Sequence, residues 1–586
     1  MTRRNIPIIV ISILLTLVGL IFLTVGFLPY TPLKSLAGSL VSDGNFKSLN
    51  ESNAIVFRII LVTVGLFFIC ASIIMGGGYL NRVLGWFHQY FLDLTSFIKN
   101  LKPTKIEIFP LVMILLILGS AVILRLAHIF EGITHDEGYT YVEFSSTSLF
   151  NIVTNYQLPN NHVLNSLLIH FSTHLLGSQP WALRLPSLLA GLLLIPSTYV
   201  LAQQIYDKYT ALLSAILVTI LPGAIIYSTR GRGYSLVALF TVLIFLLAFY
   251  VRENKNLFAW SLLVLFSALG FYSVPVMLFP FGIVFVWLFF ENLLTHPGSY
   301  GSKLNFLKYW FIAGISTAAL VLILYTPIFI YSGANKVFAN LWVSPEPWSG
   351  YISSIPYRAL VVWHEWTDGL HVIWSFLLLV GFCLSLVIHK RIARIRFPLQ
   401  IAAFLWIVVL VLFQRPEPVT KIWTFLQALF IIWSAAGIIG LLKVLPVKFS
   451  RKVPVAGIVV SAVLLSVLVG AIKLVPTIPD RWKEKGPEEK TVIAIKEQLS
   501  TNDLIIIDSP FDAATWYYAE LHGLSKSYFN KNLPFTQLFV IVVPSEGQTL
   551  ESIIQSRGPD PSLTDLEASH LTLNYGYLDT YIVPHR

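Results

Sequence analysis

"NNHVLNSLLIHFSTHLLG", residues 160–177, decides how the chain is threaded. It is apolar enough to be counted as a membrane span, yet it carries His162, His170 and His174 with several Ser, Thr and Asn. Counting it would invert the side of every later loop. A spanning helix needs about 20 largely apolar residues, and the remaining sequence supplies thirteen such stretches: 6–29, 54–76, 108–129, 182–203, 210–229, 234–251, 257–273, 275–291, 309–330, 371–388, 398–413, 422–442 and 453–475. With "MTRR" on the cytoplasmic side and 160–177 left out, one side collects Arg82, Lys99, Lys102 and Lys105, then Lys208, "RENK" at 252–255, Lys303 and Lys308, "HKRIARIR" at 389–396, and Lys443, Lys448, Arg451 and Lys452. The positive-inside rule requires that gathering. Residues 160–177 are therefore expected to form an amphipathic or re-entrant helix at the outer interface, within a long outer loop over 130–181.

Composition agrees with a polytopic α-helical protein of the cell membrane. Of 586 residues, 56% are hydrophobic and 12% charged, with a mean hydropathy of +0.73. A net charge of +10 follows from cytoplasmic basic loops and does not point to nucleic acid. Residues 6–29 have no small-residue cleavage site and are too long for the apolar part of a signal peptide, so they read as a helix. Cys70 and Cys383 both lie in apolar segments and offer no disulfide framework.

The expected organisation has three parts. Residues 1–107 hold two additional spans and a basic loop. Residues 108–475 form the main membrane domain. Past the polar "PTIPDRWKEKGPEEK", residues 476–586 form a small extracytoplasmic α/β domain, with strands at "DLIIID" and "QLFVIVVP" and helices at "DAATWYYAELHGL" and "QTLESIIQSRG". No glycine-rich nucleotide fingerprint accompanies the strands.

Chemistry concentrates at the outer face. "EGITHDEGYTYVEF", 131–144, places His135, Asp136, Glu137 and Glu143 just past a span. Arg184, Arg230, Arg232 and Arg415 lie at outer helix ends, where topology alone leaves basic residues scarce. Arginine grips a phosphate through a planar, permanently charged fork. A carboxylate such as Asp136 accepts the proton of an attacking hydroxyl, with Glu137 beside it to orient the base, bind a metal or contact a sugar. Two carboxylates this close are expected to raise at least one pKa. Glu143, nearly two helical turns beyond Asp136, is expected only to fix the loop. "VVWHEWTDGLH", 361–371, spaces His364, Glu365, Asp368 and His371 for a metal or, with Trp363 and Trp366, for an interfacial helix. No cofactor is assigned, and a divalent metal is left open.

The order of a span, "HDEGYTYVEF", "LPNNHVLNSLL", "WALRLPSLLAGLLLIPSTYVLAQQIY" and "YSTRGRGYSLVALF" resembles the GT-C membrane glycosyltransferases of the family 39 type, which includes protein O-mannosyltransferases and the lipid A aminoarabinose transferase. The resemblance implies a hexosyl- or pentosyltransferase that takes sugar from a polyprenyl-phosphate donor and passes it, with inversion, to a protein, lipid or glycan at the extracytoplasmic face. It implies Asp136 as base with Glu137 beside it, Arg184 on the carrier phosphate, and Arg230, Arg232 and Tyr234 on phosphate or donor sugar. Asn161 and His162 stand near the catalytic centre, where members often have a His-Pro-Pro or Lys-Pro stretch. "FYSVP", 271–275, lacks the His of a frequent Tyr-x-His element. Arg415 or Lys421, in "QRPEPVTK", is expected to join the phosphate site. The competing class is a transporter or flippase of a lipid-linked anion, against which stand the absence of an internal repeat and the clustering of charge at one face.

Overall fold

The computed structural model describes residues 6–39, 51–76, 80–101, 107–295, 298–339, 345–416, 420–444 and 455–586. The basic positions Lys102, Lys105, Lys448, Arg451 and Lys452, and the middle of "QRPEPVTK", lie outside them. The chain divides into two compact units, Met1–Pro103 with Asn256–Ala259, and Thr104–Lys255 with Trp260–Arg586.

In the smaller unit the helices Ile6–Gly26 and Glu51–Gly76 pair closely. Gly19 and Gly65 make the crossing: a Cβ on Gly65 would stand 2.8 Å from the Gly19 carbonyl oxygen. Small residues at such crossings let backbones meet where no hydrophobic force separates helix from lipid. A hydrogen bond between the Thr16 and Ser72 hydroxyls, 2.7 Å, lies on the same interface.

Among the described residues eight helices are long and apolar enough to cross a bilayer, and two helix pairs, Lys208–Ile220 with Pro222–Ser228 and Trp348–Thr367 with Val372–Val387, are bent by 61° and 118°. Counting each bent pair as one span gives up to ten, against thirteen expected, and four shorter apolar helices stand apart from these: Val10–Gly26, Val163–Leu176, Leu257–Ser273 and Leu399–Gln414. Pro222 causes the first bend. Leu221 before it is extended, with ψ 123°, because the proline ring excludes the helical region there.

Residues 163–176 form a helix of 14 residues, about 21 Å long and short of a bilayer's ~30 Å core. Asn165, Ser166 and Ser172 turn inward and are paired. Asn165 donates to the Gly231 carbonyl at 3.0 Å, Ser166 to Asn161 Oδ1 at 2.9 Å and Ser172 to the Ala182 carbonyl at 2.8 Å. The rest of the segment between the helices Ile108–Leu126 and Pro180–Ile205 contains the short helix His135–Thr140, a π-turn over Tyr141–Ser145 and the helix Leu149–Thr154.

Beyond the last long helix, β1 (Leu504–Ile506), β2 (Gln537–Val542), β3 (His570–Tyr575) and β4 (Leu578–Pro584) form one sheet in the order β1-β2-β4-β3. β1 pairs parallel with β2, and the other pairings are antiparallel. Both faces of β2 are covered. Leu538, Val540 and Val542 pack with Ile553 and Ile554 of the helix Leu550–Arg557, while Phe539 and Ile541 face Ile495 of the helix Pro487–Gln498. This two-sided burial explains the unbroken apolar run of "LFVIVV". The β3–β4 hairpin, turning at Gly576 with φ +65°, adds two strands to the β-α-β-α order read from sequence.

Candidate active site

The short helix His135–Thr140 carries the central carboxylates, and its start is a capping box. The Thr134 backbone N–H and hydroxyl both donate to Glu137 Oε2, at 3.1 and 3.0 Å. Thr134-His135-Asp136-Glu137 is the S/T-x-x-E pattern of such a start, a signal that sequence reading passed over.

Glu137 is 0% and Arg184 1% exposed. Arg184 donates from Nε to Glu137 Oε1 at 2.8 Å and from NH2 to Oε2 at 2.9 Å. Its remaining donors reach the carbonyls of Ile129 (2.9 Å), Glu131 (2.7 Å) and Gly132 (3.0 Å). All five N–H groups of the guanidinium are thereby used. The Gly231 amide adds a bond to Glu137 Oε1 at 2.7 Å. Burial alone would raise the Glu137 carboxyl, but Arg184, Arg230 and the Gly231 amide outweigh it and hold it at about 2. The expectation of Arg184 on a carrier phosphate and Glu137 as a catalytic partner thus meets a closed structural lock. Neither side chain has an atom left for a substrate.

Asp136, one residue earlier, points the other way. Its side chain is 35% exposed, and Oδ2 accepts from Lys421 Nζ at 2.6 Å with Arg232 NH2 4.0 Å away. Burial pulls its carboxyl upward, yet Arg232 and Lys421 hold it below the ordinary aspartate value. Carboxylate repulsion was expected to raise one pKa of the pair. Both fall instead, because each carboxylate faces its own cations.

Arg232 is 5% exposed and crosses under the helix, donating from NH1 to Thr140 Oγ1 at 2.6 Å and to the Asn160 carbonyl at 2.9 Å. Its Nε is buried without a partner, and NH2 faces His162 Nε2 at 3.2 Å. His162 Nδ1 accepts from the Gly233 amide at 3.0 Å. Burial first, then Arg232 and Lys421, push His162 well below its ordinary value, so it stays a neutral spacer beneath Arg232. Tyr234 stands edge-on to His162 and to Tyr227, and Tyr227 donates to Glu365. Asn161 is consumed structurally: Nδ2 donates to the carbonyls of Ile152 and Asn155 at 2.8 and 2.7 Å.

Arg230 is half-buried, its charge acts on Glu131 and Glu137, and among the described residues its guanidinium makes no hydrogen bond. Arg415 is engaged elsewhere, donating to the Glu346 carbonyl at 2.6 Å and lying over Trp348. Of the two basic residues expected from "QRPEPVTK", Lys421 reaches Asp136.

From "VVWHEWTDGLH" only Glu365 reaches this neighbourhood, through Tyr227. His371 caps the next helix, and Trp363 and Trp366 pack on Phe430. His170 bonds the Ser145 carbonyl and His174 the His170 carbonyl. Among the described residues no three His, Cys, Asp or Glu side chains converge as metal ligands.

The helical part of the chain has the fold seen in ArnT from Cupriavidus metallidurans. Residues 163–307 match the family model described as dolichyl-phosphate-mannose-protein mannosyltransferase. Among solved structures, ArnT from Cupriavidus metallidurans in the apo state superposes with a TM-score of 0.51 at 11% identity, covering 80% of this chain and 97% of that one. The same protein bound to undecaprenyl phosphate gives a TM-score of 0.49 at 13% identity with the same coverages. The Archaeoglobus fulgidus oligosaccharyltransferase with zinc and sulfate gives 0.42 at 14% identity over 79% and 72% of the chains. No curated protein matches the chain in sequence. The chain is a multi-pass membrane protein of this fold.

Proposed function

We propose that the chain transfers a sugar from a polyprenyl-phosphate donor to an acceptor hydroxyl at the extracytoplasmic face of the membrane. One observation carries the reading: a partly exposed carboxylate, Asp136, stands beside Lys421 and Arg232, with the unengaged guanidinium of Arg230 near the Glu137 lock. A base and a cluster of cations are what displacement of a phosphate requires. The family description at residues 163–307 names a donor of this class. The gathering of basic loops on the opposite side supports the orientation.

In this mechanism the acceptor oxygen attacks the anomeric carbon as its proton passes to Asp136. The bond from that carbon to the phosphate oxygen breaks, and polyprenyl phosphate leaves with the electron pair. Attack opposite the leaving group inverts the anomeric centre. Arg230 and Lys421 meet the phosphate charge, while Arg232, pinned by Thr140 and Asn160, keeps Asp136 ionised until attack. A phosphate that draws Lys421 away also removes a charge that holds the Asp136 carboxyl down, and so strengthens the base. Glu137 and Arg184 keep the helix in place and take no part in the chemistry.

The test is turnover by purified protein in lipid with polyprenyl phosphates bearing different sugars. Acceptor-dependent release of polyprenyl phosphate supports the proposal. Movement of the intact donor across the bilayer without bond cleavage would replace it with a transporter.

A further inference from the structure

The helix that carries Asp136 has six residues, and a helix shorter than ~12 residues is marginal by itself in water. Its position has to come from what packs against it. On one side that is the Glu137–Arg184 lock. On the other it is the helix Asp512–Leu521 of the C-terminal domain.

We propose that this C-terminal helix positions the base, with Asp512 and Tyr518 as its positioning residues. The inference rests on the reading of Asp136 as base. Asp512 Oδ1 lies 3.2 Å from Nδ1 of His135, the residue next to Asp136. The Tyr518 hydroxyl accepts the Ile133 amide at 3.1 Å, just before the helix begins. Beyond its end, the Tyr517 hydroxyl donates to the Ser178 carbonyl at 2.6 Å, and Tyr141 donates to the Ser178 hydroxyl at 2.7 Å. Between these anchors the backbones touch: a Cβ on Gly138 would stand 2.3 Å from the Ala513 carbonyl oxygen and 2.6 Å from its carbon. Any larger residue at 138 pushes one helix off the other. Ile133, Tyr141, Val142, Tyr517 and Tyr518 form one buried cluster across the contact.

His135 adds a titratable element. It faces Asp512 from the C-terminal helix and Asp136 and Tyr139 from its own. The Asp512 carboxylate 3.2 Å from Nδ1, with smaller help from Asp136, raises its pKa against the opposing effect of burial. The His135–Asp512 ion pair is therefore present at lower pH and is lost as His135 gives up its proton when pH rises through that elevated value.

The experiment compares full-length wild type with Asp512→Asn, Asp512→Glu, Tyr518→Phe and Gly138→Ala, reading kcat and donor KM against pH and amide hydrogen exchange over residues 133–141. Positioning predicts that Asp512→Asn and Gly138→Ala lower kcat about tenfold or more with donor KM held within about twofold. Exchange over 133–141 rises, Asp512→Glu recovers part of kcat, and the alkaline limb of the Asp512→Asn profile moves to lower pH. Unchanged exchange and kcat in Asp512→Asn and Gly138→Ala overturn the proposal. Asp136→Asn is run alongside. Full turnover in that variant removes Asp136 as base, while the exchange data still decide whether the C-terminal helix holds residues 133–141.

Discussion

Arg184 and Glu137 are joined by two parallel hydrogen bonds, Nε to Oε1 at 2.8 Å and NH2 to Oε2 at 2.9 Å, and neither side chain reaches solvent. Removing one member of such a pair strands a buried charge, which costs about 3–5 kcal/mol, whereas replacing both with apolar groups costs far less. Arg184→Met is expected to lower the thermal unfolding midpoint in detergent sharply, and Arg184→Met with Glu137→Leu to recover much of it. A stable Arg184→Met that has lost only donor affinity would return Arg184 to the phosphate.

The same carboxyl links stability to acid. The folded value of Glu137, about 2, lies below its ordinary 4.5, so the ionised form contributes stability that is fully present above pH 4.5. That contribution is lost as pH falls from there toward the folded value. Unfolding midpoints recorded across this window should fall more steeply for wild type than for Glu137→Gln. Parallel curves would remove Glu137 as the acid-sensitive group.

Arg230 and Lys421 are assigned to the leaving phosphate and should behave as a pair of charges. Arg230→Ala and Lys421→Met are each expected to weaken binding of polyprenyl phosphate about tenfold, since a charged hydrogen bond contributes about 1.5–3 kcal/mol. Arg415→Ala, whose guanidinium serves the Glu346 carbonyl and Trp348, should leave that affinity unchanged. Binding of the carrier phosphate by scintillation proximity or calorimetry separates the two groups.

Topology is open to a direct check. Ser545 is exposed in the C-terminal domain, and Ser545→Cys, with Cys70 and Cys383 replaced, should react with a membrane-impermeant maleimide in intact cells. Labelling only after the cells are opened would place the domain, and with it the Asp136 helix, on the cytoplasmic face.

Local features of the fold were legible wherever hydropathy carried them. The histidines, asparagines and hydroxyls of residues 160–177 need partners, and Asn165, Ser166 and Ser172 find theirs inside the protein. The role of Glu137 was half visible in the Thr134–Glu137 spacing. Its pairing with Arg184 was not, because 47 residues separate the two and an arginine at a helix end reads equally well as a phosphate ligand. Lys421 reaches Asp136 from 285 residues away, a distance over which side-chain periodicity says nothing. The β3–β4 hairpin escaped notice because the exposed face of β3 interrupts the apolar run that marks β2.

The central claim is that Asp136 is the base of a transfer from polyprenyl phosphate, and one comparison tests it most directly. With a donor and acceptor that wild type turns over, Asp136→Asn is expected to bind the carrier phosphate at least as well as wild type and to lower kcat by about 100-fold or more, in the range of lost general-base catalysis. Turnover by Asp136→Asn at the wild-type rate would contradict the account.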